Sequence, residues 1–99
     1  MTYDLYELLS LPTGKRPPHV AFTSINIDDV IKWLAKEFTV FGAEPVLLHD
    51  ASTGWEYIAY ELGPARHLCW YLTTDFNKLP SGQLDKFMDR LMFELAGRT

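Results

Sequence analysis

The chain has a single cysteine, Cys69, among its 99 residues. One thiol cannot form an intramolecular disulfide, and the count alone excludes a four-cysteine zinc site. A lone cysteine within an apolar segment is typical of a protein kept in a reducing compartment. We therefore expect a cytoplasmic location.

Long apolar runs and an excess of basic residues are also absent. No apolar segment approaches the roughly 20 residues that a membrane-spanning helix needs, and no basic lead precedes an apolar run at the N-terminus. Nine basic residues stand against thirteen acidic ones, which gives a net charge of −4 at pH 7. This balance disfavours nonspecific binding to nucleic acid, and nothing in the sequence predicts a membrane partner.

Motifs that mark catalysis or cofactor binding are missing too. Gly14-Lys15 lacks the preceding glycine of a phosphate-binding loop, and no serine lies in a nucleophile-elbow sequence. His67 and Cys69 are two residues apart and so share one face of a strand, but the sequence offers neither a further metal ligand nor an orienting acid. We predict no cofactor and no metal site, and a small Cys/His enzyme is the least favoured function.

Apolar and aromatic side chains are what the chain has in abundance. Hydrophobic residues make up 47% of the sequence and aromatic residues 14%, which argues against disorder. A chain of this length buries enough surface to form a core without disulfides or metals. We expect one domain over residues 1–99.

Apolar periodicity and capping residues predict the elements of this domain. Five strands are predicted, over Tyr3–Leu11, Val20–Thr23, Pro45–His49, Trp55–Leu62 and Arg66–Thr73. Helical spacing predicts one helix from an N-cap at Asn26 to Gly42 and another from an N-cap at Ser81 to Gly97. The predicted fold is a small α+β domain of order ββ-α-βββ-α, whose two helices pack on one face of an antiparallel sheet.

The N-terminal segment leaves two alternatives open. Leu5, Leu8 and Leu9 also suit a short helix, although alternation favours a strand. If the segment is a strand, its hairpin either extends the sheet or folds across it as a cap.

Pairing the last three strands around the loops Asp50–Gly54 and Gly63–Ala65 sorts their residues onto two faces. We call the face that the helices cover the core face, and the opposite one the outer face. The predicted core face collects Val46, Leu48, Ile58, Tyr60, Leu62, Leu68, Trp70 and Leu72, with Glu56 and Arg66 at its ends. The predicted outer face collects Leu47, His49, Trp55, Tyr57, Ala59, Glu61, His67, Cys69, Tyr71 and Thr73. An odd-length turn at Gly63–Ala65 is required, because an even one shifts the pairing by one residue.

The predicted outer face is rich in large aromatic residues. Trp55, Tyr57 and Tyr71 can each bury roughly 150–250 Å², so together they exceed the patch that a monomer usually exposes. Three covers are considered: the N-terminal segment, a second copy of the chain, or another molecule.

These patterns favour a non-catalytic interaction module that binds a protein partner, or a second copy as a homodimer, through the outer face. Inhibitors, immunity proteins, adaptors and phage or mobile-element accessory proteins are often of this size and charge. We expect Trp55, Tyr57 and Tyr71 to anchor the partner, and His49, Glu61 and His67 to form a polar rim. The alternative is a single-stranded nucleic-acid binder that stacks bases on the same aromatic residues.

Overall fold

The long strands and the helices form where the apolar alternation and the capping residues of the sequence predict them. The structure is a computed structural model that describes residues 2–15, 17–42, 44–52, 54–64, 66–74, 77–78 and 81–97. Its strands are β1 (Tyr3–Leu11), β2 (Gly14–Lys15), β3 (His19–Ser24), β4 (Val46–Asp50), β5 (Trp55–Gly63), β6 (Arg66–Thr74) and β7 (Asn77–Lys78). Its helices are α1 (Ile27–Phe41) and α2 (Ser81–Ala96). The α+β class and the order ββ-α-βββ-α are confirmed, with the two-residue strands β2 and β7 added to five long ones.

The N-terminal segment is a strand that lies inside the sheet. β1 pairs antiparallel with β6 from Tyr3 to Ser10, and its other edge pairs with β3 and then with β2. Beyond β6 come β5 and then β4, so the long strands lie in the order β3-β1-β6-β5-β4. The N-terminal hairpin therefore extends the sheet and does not fold across the outer face.

The ends of α1 follow the predicted capping residues. Asn26 accepts a hydrogen bond at 2.9 Å from the backbone N–H of Asp28, which satisfies one of the orphan donors of α1. Gly42 adopts a left-handed φ of 68°, and its N–H donates to the Phe38 carbonyl at 3.0 Å. α2 begins after Pro80 as predicted, but Ser81 is its first helical residue and not the predicted N-cap; the Ser81 side chain lies outside the described residues.

Both helices pack on the core face of the sheet. The buried members of this cluster are Leu5, Val30, Ile31, Leu34, Ala35, Phe38, Ile58, Trp70, Leu72, Leu84, Phe87 and Leu91. Trp70 is fully buried, and its indole N–H donates to Glu7 Oε1 at 3.0 Å. Glu7 interrupts the apolar alternation of β1 because it supplies the acceptor that a buried indole requires.

The hairpin of β5 and β6 has the predicted faces but a different turn. Gly63 pairs with Arg66, which leaves a two-residue loop whose second residue, Ala65, lies outside the described residues. The register shifts between Glu61 and Gly63, so Leu62 is an extra residue in β5. This bulge has the same effect on the pairing as an odd-length turn, and it keeps Ala59 opposite Cys69.

The predicted faces of β4 are wrong. Asp50 pairs with Trp55, so the loop is four residues long, 51–54, with Thr53 outside the described residues. The Asp50 carbonyl accepts the N–H of Gly54 at 2.8 Å, and the Asp50 side chain accepts the N–H of Ser52 at 3.0 Å. These bonds make the loop one residue shorter than predicted. Each residue of β4 therefore lies on the face opposite to the predicted one.

The corrected register moves four residues to the opposite face. Val46 and Leu48 lie on the outer face, opposite Ala59 and Tyr57 respectively. Leu47 and His49 lie on the core-face side, with His49 opposite Glu56.

Candidate functional site

Four aromatic side chains gather on the outer face, and we call them the aromatic cluster: Tyr6, Trp55, Tyr57 and Tyr71. Tyr71 is at the centre of the cluster. Its ring lies 5.0 Å from that of Tyr6, 4.9 Å from that of Trp55 and 5.7 Å from that of Tyr57, measured between ring centres. All four residues are half-buried, so each ring is supported by its neighbours and still reaches solvent.

The phenol of Tyr71 is a hydrogen-bond donor at neutral pH. Burial raises the pKa of Tyr71 above its ordinary value of 10.0, and charge repulsion from Tyr6 and Tyr57 raises it further. The group therefore stays protonated in the middle of the cluster. It can bind an acceptor such as a partner's backbone carbonyl.

Small apolar side chains lie next to the aromatic cluster. Leu8, Cys69 and Ala59 follow one another across β1, β6 and β5 and are buried together, with Leu48, Tyr57 and Tyr71 packed against them. Because Ala59 and Cys69 are small and their neighbours are large, the face is recessed here. A pocket of about 460 Å³ opens over this floor, lined by Leu8, Ser10, Leu48, His49, Asp50, Ala51, Ser52, Tyr57, His67 and Cys69.

The rim of the pocket is polar and carries acidic groups. Ser10 and His67 form one side, and the loop from Asp50 to Ser52 forms another. Glu61 is exposed beside His67, its partner in the register of β5 and β6. Two lysines of the described residues have outer-face register positions, Lys15 of β2 opposite Ser10 and Lys78 of β7 opposite Thr73.

The predicted anchors Trp55, Tyr57 and Tyr71 come together in one cluster. His67 lines the pocket and Glu61 lies beside it, so both residues occupy the rim. His49 borders the pocket, but its pairing with Glu56 puts its side chain on the other side of β4.

Sequence reasoning missed the contribution of β1. Tyr6, Leu8 and Ser10 alternate on this strand and all three belong to the outer face, opposite Tyr71, Cys69 and His67 in that order. Their period of two was readable in the sequence. What it did not reveal was that β1 pairs with β6.

Cys69 and His67 share the outer face, as their spacing predicts. Cys69 is buried between Leu8 and Ala59, in apolar surroundings. Among the residues that the structure describes, no group of three or more His, Cys, Asp or Glu side chains is placed to hold a metal ion.

Comparison with protein-family models, with curated proteins and with solved structures gives no significant match to this chain. Neither helix in the described part of the chain is long and apolar enough to cross a membrane.

Proposed function

We propose that this chain is a non-catalytic interaction module that binds a protein partner through the outer face. The observation that carries the proposal is the half-exposed aromatic cluster beside a pocket with a buried apolar floor. Tyrosine and tryptophan are enriched at the energetic centres of protein interfaces. Their rings offer a large contact area and lose little conformational freedom on binding.

The size of the outer face suits a protein more than a small ligand. The two longer dimensions of the molecule are 35 and 32 Å. A face of this extent accommodates the ~800 Å² per partner that a standard protein interface buries. The aromatic cluster extends from Tyr6 and Tyr71, within β1 and β6, to Trp55 at the start of β5, so a partner that covers it contacts three adjacent strands.

The pocket has room for apolar side chains of the partner. Its floor of Leu8 and Cys69 is apolar, and Tyr57 and Leu48 provide apolar walls. A leucine or phenylalanine inserted here would contact these four residues, while the polar rim faces the partner's backbone. We expect the pocket and the aromatic cluster to act together as the anchoring region.

The charge of the face favours a protein over single-stranded nucleic acid. Acidic residues outnumber basic ones at outer-face positions of the described residues, where Asp4, Asp50 and Glu61 stand against Lys15 and Lys78. Stacking of bases on the cluster would need a basic groove along the phosphates. The acidic positions work against that arrangement, so the nucleic-acid alternative ranks second.

The burial of Cys69 argues against thiol chemistry. A reactive cysteine is normally part-exposed and lies beside positive charge, whereas Cys69 is packed among Leu8, Ala59 and their apolar neighbours. The Cys/His enzyme ranks third.

The test compares what three forms of the chain capture from an extract of the source organism: the natural sequence, Trp55→Ala and Phe93→Ala. Phe93 is 82% exposed on α2, away from the outer face, so it controls for the loss of any exposed aromatic ring. We expect a protein that binds the natural chain and Phe93→Ala but binds Trp55→Ala at least tenfold less.

A thermal melt of each variant separates binding from folding. Trp55 is half-buried, so Trp55→Ala should still melt cooperatively. Equal capture by Trp55→Ala and the natural chain would overturn the proposal. A non-cooperative melt would instead show that Trp55 belongs to the core.

A further inference from the structure

The two edges of the sheet differ in how they are protected. At the β3 edge, the pairing with β1 contains a register shift between Leu5 and Tyr6, and α1 packs over the strand through a stack of Phe22 on Trp33 with ring centres 5.6 Å apart. A bulge twists an edge strand and so hinders its pairing with another chain. The β3 edge is therefore a poor template for a further strand.

Within the described residues, β4 itself has no such bulge. β4 pairs with β5 from Val46 to Asp50 without a register shift, and the strand contains neither lysine nor proline. Val46 is 48% exposed on the outer face, and Leu47 is 38% exposed on the other. An open strand with apolar side chains exposed on both faces is a site for strand addition.

Leu62 lengthens this apolar edge. β4 reaches only as far as Ala59 on β5, so the last residues of β5 continue the edge beyond it. Leu62 is the bulged residue of this segment and is 41% exposed. Pairing along β4 would cover Val46 and Leu47, and Leu62 lies beyond the end of that ladder.

We propose that two copies of this chain pair antiparallel through β4, with Leu48 opposite Leu48 of the second copy. A twofold axis normal to the sheet places the outer faces of both copies on the same side. Two residues that pair across the axis must then lie on the same face, so their sequence numbers are both even or both odd. The register about Leu48 pairs all five residues of β4. Moving the axis to Leu47 would bring Pro45, which has no N–H to donate, into the ladder.

The charges of β4 are compatible with this register. Val46 faces Asp50 of the second copy and Leu47 faces its His49, so no like charges are opposite each other. In the described part of each chain, β4 is the open edge of the sheet, and the β3 edge carries a bulge. Pairing therefore closes at a dimer instead of growing into a fibre.

This dimer does not rest on the proposed function, although Leu48 and Asp50 belong both to β4 and to the lining of the pocket. The β4 ladder leaves the aromatic clusters of both copies on one side of a continuous sheet. A failure to dimerise would not affect partner binding through the cluster, and a failure to bind a partner would not affect dimerisation.

The test is the molar mass of the purified chain by size-exclusion chromatography with light scattering, over a wide range of concentration. We expect the natural chain to approach twice 11.4 kDa. Val46→Glu places two like-charge pairs with Asp50 across the axis and should raise the dissociation constant about tenfold. Val46→Lys places opposite charges there and should preserve the dimer.

Val20 offers a matched control on the other edge. It is 50% exposed on β3 and also lies on the outer face, opposite Tyr6. Val20→Glu changes the net charge by the same amount as Val46→Glu and should leave dimerisation unchanged. Amide hydrogen exchange of β4 in the natural chain gives a second readout, with protection that rises with concentration.

Three results would overturn the proposal. The first is a natural chain that stays monomeric at every concentration. The second is equal weakening by Val46→Glu and Val20→Glu, which would reflect net charge alone. The third is a dimer that Trp55→Ala dissociates and Val46→Glu does not, which would place self-association on the outer face.

Discussion

At the scale of single residues, Glu7 is the clearest case of a side chain explained by one partner. The indole N–H of the fully buried Trp70 donates to its carboxylate at 3.0 Å, and His19 lies 3.1 Å from the other carboxylate oxygen at the surface. Glu7→Ala removes the acceptor and leaves a buried donor unpaired. We expect a loss of about 1–3 kcal/mol in the free energy of unfolding, measured by urea denaturation.

Glu7→Gln is the matched control for this prediction. Its amide oxygen still accepts from Trp70, and only the contact of the carboxylate with the exposed His19 is altered. Exposed ion pairs contribute about 0–1 kcal/mol, so this variant should remain close to the natural chain. If Glu7→Ala and Glu7→Gln lose equal stability, the hydrogen bond to Trp70 is not what the residue contributes.

The same scale shows why part of the candidate site was predictable. Trp55, Tyr57 and Tyr71 are large residues on the outer face of two neighbouring strands. A hairpin brings them together if its turn has an odd number of residues, or an even number with one bulge, as observed. Tyr6 was missed because its neighbours depend on which strand β1 joins. Nothing local to β1 specifies that β6 is its partner.

At the scale of elements, α1 was predictable because its signals are local. The Asn26 side chain, the acidic residues Asp28 and Asp29 in the first turn and the left-handed Gly42 all act within a few residues of the helix ends. An ion pair between Arg90 of α2 and Asp28 then joins the two helices.

The N-cap of α1 gives a prediction at this scale. Asn26→Ala removes the acceptor for the Asp28 N–H, so we expect a loss of about 0.5–2 kcal/mol in the free energy of unfolding. Asn26→Asp retains an acceptor and should lose far less. Urea denaturation of both variants measures this, and an equal loss would contradict the capping role.

The faces of β4 could not be predicted because they depend on the parity of one loop. The strand Val46–Asp50 is apolar at three successive positions, so alternation does not say which side is buried. The hydrogen bonds made by Asp50 produce a four-residue loop, and the length of this loop determines which residues of β4 lie on the core face. The bulge at Leu62 in β5 was not predicted either, but it preserved the predicted faces of β5 and β6.

At the scale of the whole molecule, the sequence was enough to predict a sheet with helices on one side. Two helices with single apolar stripes need one apolar face, and Ile58, Trp70 and Leu72 provide it. Strand order was not predictable, because antiparallel pairing of distant segments is set by packing across the finished sheet. The position of β1 beside β6 is such a pairing.

That position of β1 is what gives the outer face its shape. It extends the face beyond β6, completes the aromatic cluster with Tyr6 and lines the pocket with Leu8 and Ser10. The N-terminal segment thus becomes part of the candidate binding surface instead of its cover. Both proposals place a protein against the sheet, one on the outer face and one along the β4 edge.

The measurement that tests the central claim most directly is hydroxyl-radical footprinting of the chain, alone and in an extract of the source organism, at one concentration. We predict that oxidation of Trp55, Tyr57 and Tyr71 falls in the extract, while oxidation of the exposed Phe93 on α2 does not change. Pairing through β4 leaves the aromatic cluster open, so self-association alone would not produce this protection. Unchanged oxidation of the cluster, or protection of Phe93 in its place, would contradict the account.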